Sequence, residues 1–162
     1  MDHSRVTLSP IRSRDIPAIM QLHATLLPVS YPRSFFLHLL LQPSRLCLVA
    51  RNNDDPIAFV SAVLHREQRL EILTLGVLPK FQQLHLATRL VYAVIDALTQ
   101  ATTAVTVFAQ VSASNASARA FYEHIGMTIK GDVVHNLYTT VAWGSRDAYV
   151  VSGRLEARNK VE

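Results

Sequence analysis

Apolar positions recur along this chain at two periods, and the switch between them predicts its elements. Alternating or continuous apolar runs predict strands at Val6–Arg12, Leu46–Arg51, Pro56–Glu67, Arg69–Val77 and Ala104–Val111. Two closing strands are predicted at Met127–Val134 and Arg146–Arg154. Helical spacing appears from Ile16 to about Leu26, where Ile16, Ile19, Met20, His23 and Leu27 fall near one face. A second short helix covers Ser34 to Leu41. The longest runs from Gln83 to Gln100, with Leu86, Leu90, Val91, Val94, Ile95 and Leu98 on one side and Arg89, Tyr92 and Asp96 on the other.

Punctuation residues support these boundaries. Ser13 or Asp15 caps the first helix, and Ser114 opens a helix through His124 that Gly126 closes. Pro28 and Pro32 stiffen the loop between the first two helices, Pro43 ends the second, and Pro79 breaks a strand. Asn52–Asp55 reads as a hairpin turn. The order is β-α-α-β-β-β-α-β-α-β-β. Hairpins come first and a β-α-β crossover later, which predicts an α/β (α+β) fold: a mixed seven-stranded sheet flanked by about four helices.

Composition bounds what such a sheet can be. At 162 residues the chain suits one domain, and 49% hydrophobic against 17% charged residues supplies a core and excludes disorder as the main state. Residues 1–4 and 157–162 read as loose ends, the latter basic. The longest apolar run, Phe35 to Leu41, contains His38 and falls short of the ~18 residues that span a membrane. No secretory signal is expected, and the single cysteine, Cys47, excludes an internal disulfide and points to a reducing, cytoplasmic location. Cys47 lies in an apolar strand, where a buried inert thiol is expected. The seven histidines show no pair at metal-ligand spacing, so no metal is expected. A net charge of +4 fits either an anionic partner or an ordinary solvated surface.

Chemistry has two natural places. The first is the strand-to-helix junction Leu73–Thr88, where free backbone N–H groups and the helix dipole suit an anion such as a pyrophosphate. Most such junctions bind nothing. The second is Ser114–Met127, a capped helix carrying Tyr122, which serves either as a hydrogen-bonding group beside a reaction or as a packing tyrosine.

These two segments resemble the paired signatures of the GNAT superfamily of N-acetyltransferases. One is a Q/R-x-x-G-x-G/A loop opening a long helix, represented by Gln82, His85 and Ala87. The other is an N-x-x-A-x-x-F-Y-x-x-x-G-F helix, matched by Asn115, Ser117, Ala118, Phe121, Tyr122, Gly126 and Met127. The resemblance covers nearly the whole chain. It narrows to NatE-type protein N-terminal acetyltransferases through Leu27-Pro28-Val29-Ser30-Tyr31, the aromatic pair Phe35-Phe36 and the strand Arg69–Val77.

The resemblance implies acetyl-CoA as co-substrate and nascent Met-hydrophobic N-termini as acceptors. It also implies association with the large scaffold subunit and the catalytic subunit of NatA, and through them with the ribosome. No membrane or direct nucleic-acid partner is implied. Coenzyme contacts fall on Leu75, Gly76, Val77, Gln82, Gln83, Leu84, His85, Leu86, Ala87, Thr88, Asn115, Ser117 and Tyr122. Acceptor contacts fall on Leu27, Pro28, Val29, Tyr31 and Tyr138, and catalytic positions on Glu71, Gln110 and Tyr122. Tyr122 would protonate or orient the departing thiolate.

Three positions depart from the family. Glu71 and Gln110 stand where it carries tyrosine and histidine bases, and His85 stands in place of the middle glycine of the loop. Glutamine is no base near neutral pH. Glu71 either replaces the lost bases or is a polar residue tolerated in an unused groove. His85 either blocks the phosphates or pairs with them. The implied alternative is a weak or inactive NatE-type subunit that keeps its protein contacts.

Overall fold

The computed structural model describes residues 5–100 and 104–156. The loose ends expected at 1–4 and 157–162 lie outside the described residues. In chain order the elements are β1 (Val6–Pro10), α1 (Ile16–Leu26), α2 (Arg33–Leu41), β2 (Arg45–Asn52), β3 (Asp55–His65) and β4 (Arg69–Val77). They continue with α3 (Leu86–Leu98), β5 (Ala104–Ser112), α4 (Ala116–His124), β6 (Thr128–Ile129) and β7 (Ala148–Glu156). The strands form one seven-stranded sheet in the order β1-β2-β3-β4-β5-β7-β6. Every neighbouring pair is antiparallel except β4 and β5.

The continuous apolar runs of β2 and β3 are explained by cover on both faces. On one face Leu86, Leu90, Val94 and Ile95 of α3 pack on Leu48, Val60, Leu70 and Ile72, joined by Tyr122 and Met127. On the other, Ile16 and Ile19 of α1 and Phe36 and Leu39 of α2 pack on Cys47, Val49 and Phe59. Each fully buried Leu or Ile contributes about 1.5–3 kcal/mol. This second face also buries polar groups. Arg51 grips Asp15 with two bonds of 2.7 and 2.8 Å, pinning the start of α1 to β2 and holding the carboxyl well below its usual range. Cys47 is fully buried, and burial pushes its thiol up to about 12.

Two irregularities open the sheet. Opposite β3, Ser61 pairs with Thr74 while Ala62 pairs with Ile72, so Leu73 is an extra residue in β4. Such a bulge bends its strand and disrupts pairing. Beyond it the parallel ladder stops: β4 meets β5 only from Arg69–Thr106 to Ile72–Ala109, although β4 runs on to Val77 and β5 to Ser112. A wedge therefore opens between the two strands.

Several boundaries differ from expectation. Pro79–Leu84 is a 3-10 helix, and α3 starts only at Leu86, because His85 takes a left-handed conformation (φ 55°) that cannot continue a helix. The strand expected over Met127–Val134 shrinks to Thr128–Ile129, with a single further bridge between Val134 and Ala148. Left-handed Gly131 and Asn136 turn the backbone there. β1 stops at Pro10, which has no N–H to extend a ladder.

Candidate active site

Two adjoining cavities occupy the wedge. The larger, about 330 Å³, lies between the end of β4, the start of α3 and α4. Leu75, Gly76 and Val77 line it from β4; Gln82, His85, Ala87 and Thr88 from the turn and helix start; Asn115 and Ser117 from α4. The side chains of the remaining positions assigned to this side are elsewhere. Leu86 is fully buried core, Leu84 packs against that core, and Gln83 turns out to donate to the Lys80 carbonyl (3.2 Å). Tyr122 belongs to the second cavity instead. Leu26, Ala118, Phe121 and His124 also line the larger cavity. Helical spacing from Asn115 could have indicated Ala118 and Phe121, but Leu26 arrives only through tertiary packing.

The local backbone makes this cavity suitable for an anion. No side chain caps the start of α3, so its first N–H groups face the opening with the positive end of the helix dipole. Gln82 donates to the Val77 carbonyl (3.2 Å) and braces the turn. Gly76 is required by close approach: a Cβ there would stand 2.7 Å from the Phe59 ring. Asn115 caps α4 by accepting from the Ala118 N–H (3.2 Å), and Gly126 (φ 103°) ends it, which holds Tyr122 in register.

The second cavity, about 40 Å³, is lined by Leu27, Pro28, Val29, Tyr31, Gln110, Tyr122 and Tyr138. The acceptor positions expected from the chain thus come together there, with Gln110 and Tyr122. Thr74, Leu73 and Ser112 line it as well and were not anticipated. The wall is tied across by backbone bonds. Ser30 N–H donates to Thr140 (3.1 Å), Ala142 N–H donates to Pro28 (2.7 Å), and Val29 bridges Val141. This strap holds the Leu27–Tyr31 loop against the segment that carries Tyr138.

Beneath the cavity lies a buried polar chain. His23, 2% exposed, donates its Nδ1–H to the Ile19 carbonyl (2.8 Å) and, as a neutral ring, accepts at Nε2 from the Thr74 hydroxyl (2.9 Å). Thr74 in turn meets Ser61. The imidazole stacks on Phe59 (3.8 Å between centroids) and is pushed down to about 4 by burial. It is therefore neutral at physiological pH. The chain Ser61–Thr74–His23 anchors the bulged stretch of β4 to α1.

The three phenols of the second cavity are alike electrostatically. Burial raises Tyr122 and Tyr31 well above the usual phenol range, each further raised by Tyr138 or its neighbours. Tyr138 is pushed up to about 12 by burial and by the nearby Glu71 charge. All three stay protonated, so each has an O–H to offer and none is a base. A thiol of ordinary pKa, about 8.5, is a stronger acid than any of them, so Tyr122 suits orienting a thiolate better than protonating it. Glu71 does not line either cavity; its carboxylate bonds His65 Nε2 (2.9 Å) beside Tyr138. Among the described residues no cluster of His, Cys, Asp or Glu could hold a metal ion. No helix there is long and apolar enough to cross a membrane.

Known proteins share this fold. The chain is 28% identical to N-alpha-acetyltransferase 50 of Danio rerio over 156 residues, 94% of this chain and 90% of that protein. The fold superposes on Arabidopsis thaliana Naa50 in complex with a bisubstrate analogue (TM-score 0.73, 24% identity, 92% of this chain and 98% of that one). It also superposes on Ard1 from Thermoplasma volcanium (TM-score 0.76, 18% identity, 93% and 98%). Residues 16–127, from the start of α1 to three residues past α4, match the acetyltransferase (GNAT) family, and with the splayed β4–β5 wedge and the uncapped α3 start they establish that the chain belongs to it.

Proposed function

We propose that this protein is a NatE-type protein N-terminal acetyltransferase, acting co-translationally in the cytoplasm on Met-hydrophobic N-termini, with acetyl-CoA as co-substrate. The observation that carries the reading is the strapped cavity of Leu27, Pro28, Val29, Tyr31 and Tyr138 opening beside the cavity of the α3 start. The two share Leu27, Leu75, Asn115 and Ala118, so ligands in them would meet at the end of the β4 wedge. The likeness to N-alpha-acetyltransferase 50 supports the acceptor assignment.

Residues of this chain divide the work. The first N–H groups of α3 bind the coenzyme pyrophosphate, and Asn115 and Ser117 flank it. Acetyl-CoA supplies the activated acetyl group. Leu27, Pro28 and Val29 cover the acceptor's first side chain, while Tyr31 and Tyr138 donate to its backbone. Glu71 accepts the amine proton through one intervening water. A free N-terminal amine titrates near ~8, so this base need not be strong. The C–N bond forms as the C–S bond breaks, and Tyr122 steadies the departing sulfur with its O–H.

The test is incubation with acetyl-CoA and a Met-Leu peptide, read by mass spectrometry. A single acetyl on the α-amine supports the assignment; an unmodified peptide at high enzyme concentration refutes it. A second reading has its own observation. His85 places a side chain and a strained backbone where the family has glycine. On that reading the chain is a weak or silent subunit that binds the NatA scaffold and catalytic subunits at the ribosome. Calorimetry with acetyl-CoA and a pull-down of the scaffold separate the two: coenzyme binding selects the enzyme, and scaffold capture without it selects the silent subunit.

A further inference from the structure

We infer that His65 is the positioning residue of the acceptor-side base: it holds Glu71 so that one carboxylate oxygen stays directed for the amine proton. The inference rests on the proposed acetyl transfer and names a part of that site which the two motifs do not contain.

Three strands assemble the group. His65 ends β3, Glu71 lies on β4 and Phe108 on β5. The sheet register pairs His65 with Arg69 and Glu71 with Phe108, so all four side chains share one face. His65 Nε2 lies 2.9 Å from Glu71 Oε1. An ionised carboxylate only accepts, so Nε2 carries the hydrogen and donates. The bond engages Oε1, and no other hydrogen bond to this carboxylate occurs among the described residues.

The imidazole is itself held. It lies nearly parallel to the Phe108 ring (centroids 5.7 Å, planes 28°), and the Arg69 guanidinium carbon sits 4.8 Å from the same ring. The Glu71 side chain is 17% exposed and the His65 side chain 45%, so the bond is open to solvent, and the carboxylate lies near enough to Tyr138 to raise its phenol. The charged or titratable groups facing the pair are Arg69 on β4, Tyr138 from the strapped segment and, at the same level of the sheet, Arg154 on β7. A glutamate alone has three rotatable bonds; tethering one oxygen removes most of that freedom before the acceptor arrives. Phe108 and Arg69 thus fix the imidazole, and the imidazole fixes the base.

The experiment compares wild type with His65→Phe, His65→Gln, Glu71→Gln and the double variant His65→Phe/Glu71→Gln. His65→Phe should lower kcat about 10-fold, with the peptide KM and the acetyl-CoA Kd unchanged. His65→Gln keeps an N–H donor and should recover most of the rate. In the Glu71→Gln background, His65→Phe should cost nothing further. A full 10-fold loss in that background, or wild-type kcat for His65→Phe, overturns the inference. Imidazole nitrogen NMR gives a readout free of turnover: the His65 Nε2–H signal should shift in Glu71→Gln. An unshifted signal overturns the inference even where acetylation is intact. A shifted signal in a protein without acetylation leaves the bond standing and refutes the proposed transfer instead.

Discussion

The two cavities differ in how the chain builds them. The proposed coenzyme side comes mainly from two short continuous stretches, Leu75–Thr88 and Asn115–His124, and its candidate binding groups are backbone N–H donors at a helix start. The acceptor side is assembled from distant segments, the loop at Leu27–Tyr31, the bulged part of β4, the end of β5 and Tyr138. Its working groups are side chains, held by a strap above and by the His23–Thr74 bond below. A local anion site tolerates change in side chains but not in backbone. A long-range site depends on each distant support, so its failures should appear in acceptor parameters and in pH behaviour.

The strongest expected contrast is thermodynamic. His23 is buried neutral with its pKa lowered from 6.5 to about 4, so the unfolded chain binds the proton first as pH falls. Stability contributed by this burial is intact above about 6.5 and lost progressively down to about 4, a loss of about 3 kcal/mol. Denaturant unfolding across that window should reveal the slope, and His23→Asn should flatten it. Next comes Tyr122→Phe. Removing a hydrogen bond to a developing thiolate costs about 2 kcal/mol, or about 30-fold in kcat, with acetyl-CoA affinity unchanged. Stopped-flow acetylation together with calorimetry checks both halves.

Gly76→Ala tests the backbone side. The new Cβ meets the buried Phe59 ring at 2.7 Å and Leu26 at 3.2 Å, so overpacking of about 1–2 kcal/mol is expected, with weaker coenzyme binding. Thermal melts with and without acetyl-CoA measure it. Ala142→Pro deletes the 2.7 Å strap bond to Pro28 and should raise the peptide KM about 5-fold while leaving the coenzyme Kd alone. His85→Gly is the mildest. Release of left-handed strain, about 1–2 kcal/mol, is offset by about 0.5–1 kcal/mol of added chain entropy. A net gain of about 0.5 kcal/mol is expected in unfolding experiments, with equal or tighter acetyl-CoA binding.

Much of the lining of the larger cavity was legible because its signals are local. Pro79, Gln82, Asn115 and Gly126 act on backbone within a few residues of themselves, and the expected junctions appear where they stand. The same reading did not show that the side chains of Leu84 and Leu86 point into the core, which leaves only their backbone for the cavity, since helix phase and not motif membership decides which way a side chain faces. The left-handed backbone of His85 delayed α3 by several residues. On the acceptor side, the Pro28–Tyr31 loop was visible, but its partner at residues 140–142 lies in a stretch for which the sequence predicted no element.

By itself the amino-acid sequence determined the element order, the apolar faces of α3 and β2–β4, the caps of α4 and the anion-ready helix start, because each depends on nearest-neighbour geometry and on burial of a periodic face. Only the tertiary structure decided that Leu73 bulges out of register, that Val29 meets Val141, that His23 reaches Thr74 and that His65 grips Glu71. These contacts join residues 6 to 112 positions apart or depend on strand register, and register is set by the packing of the whole sheet rather than by any local pattern.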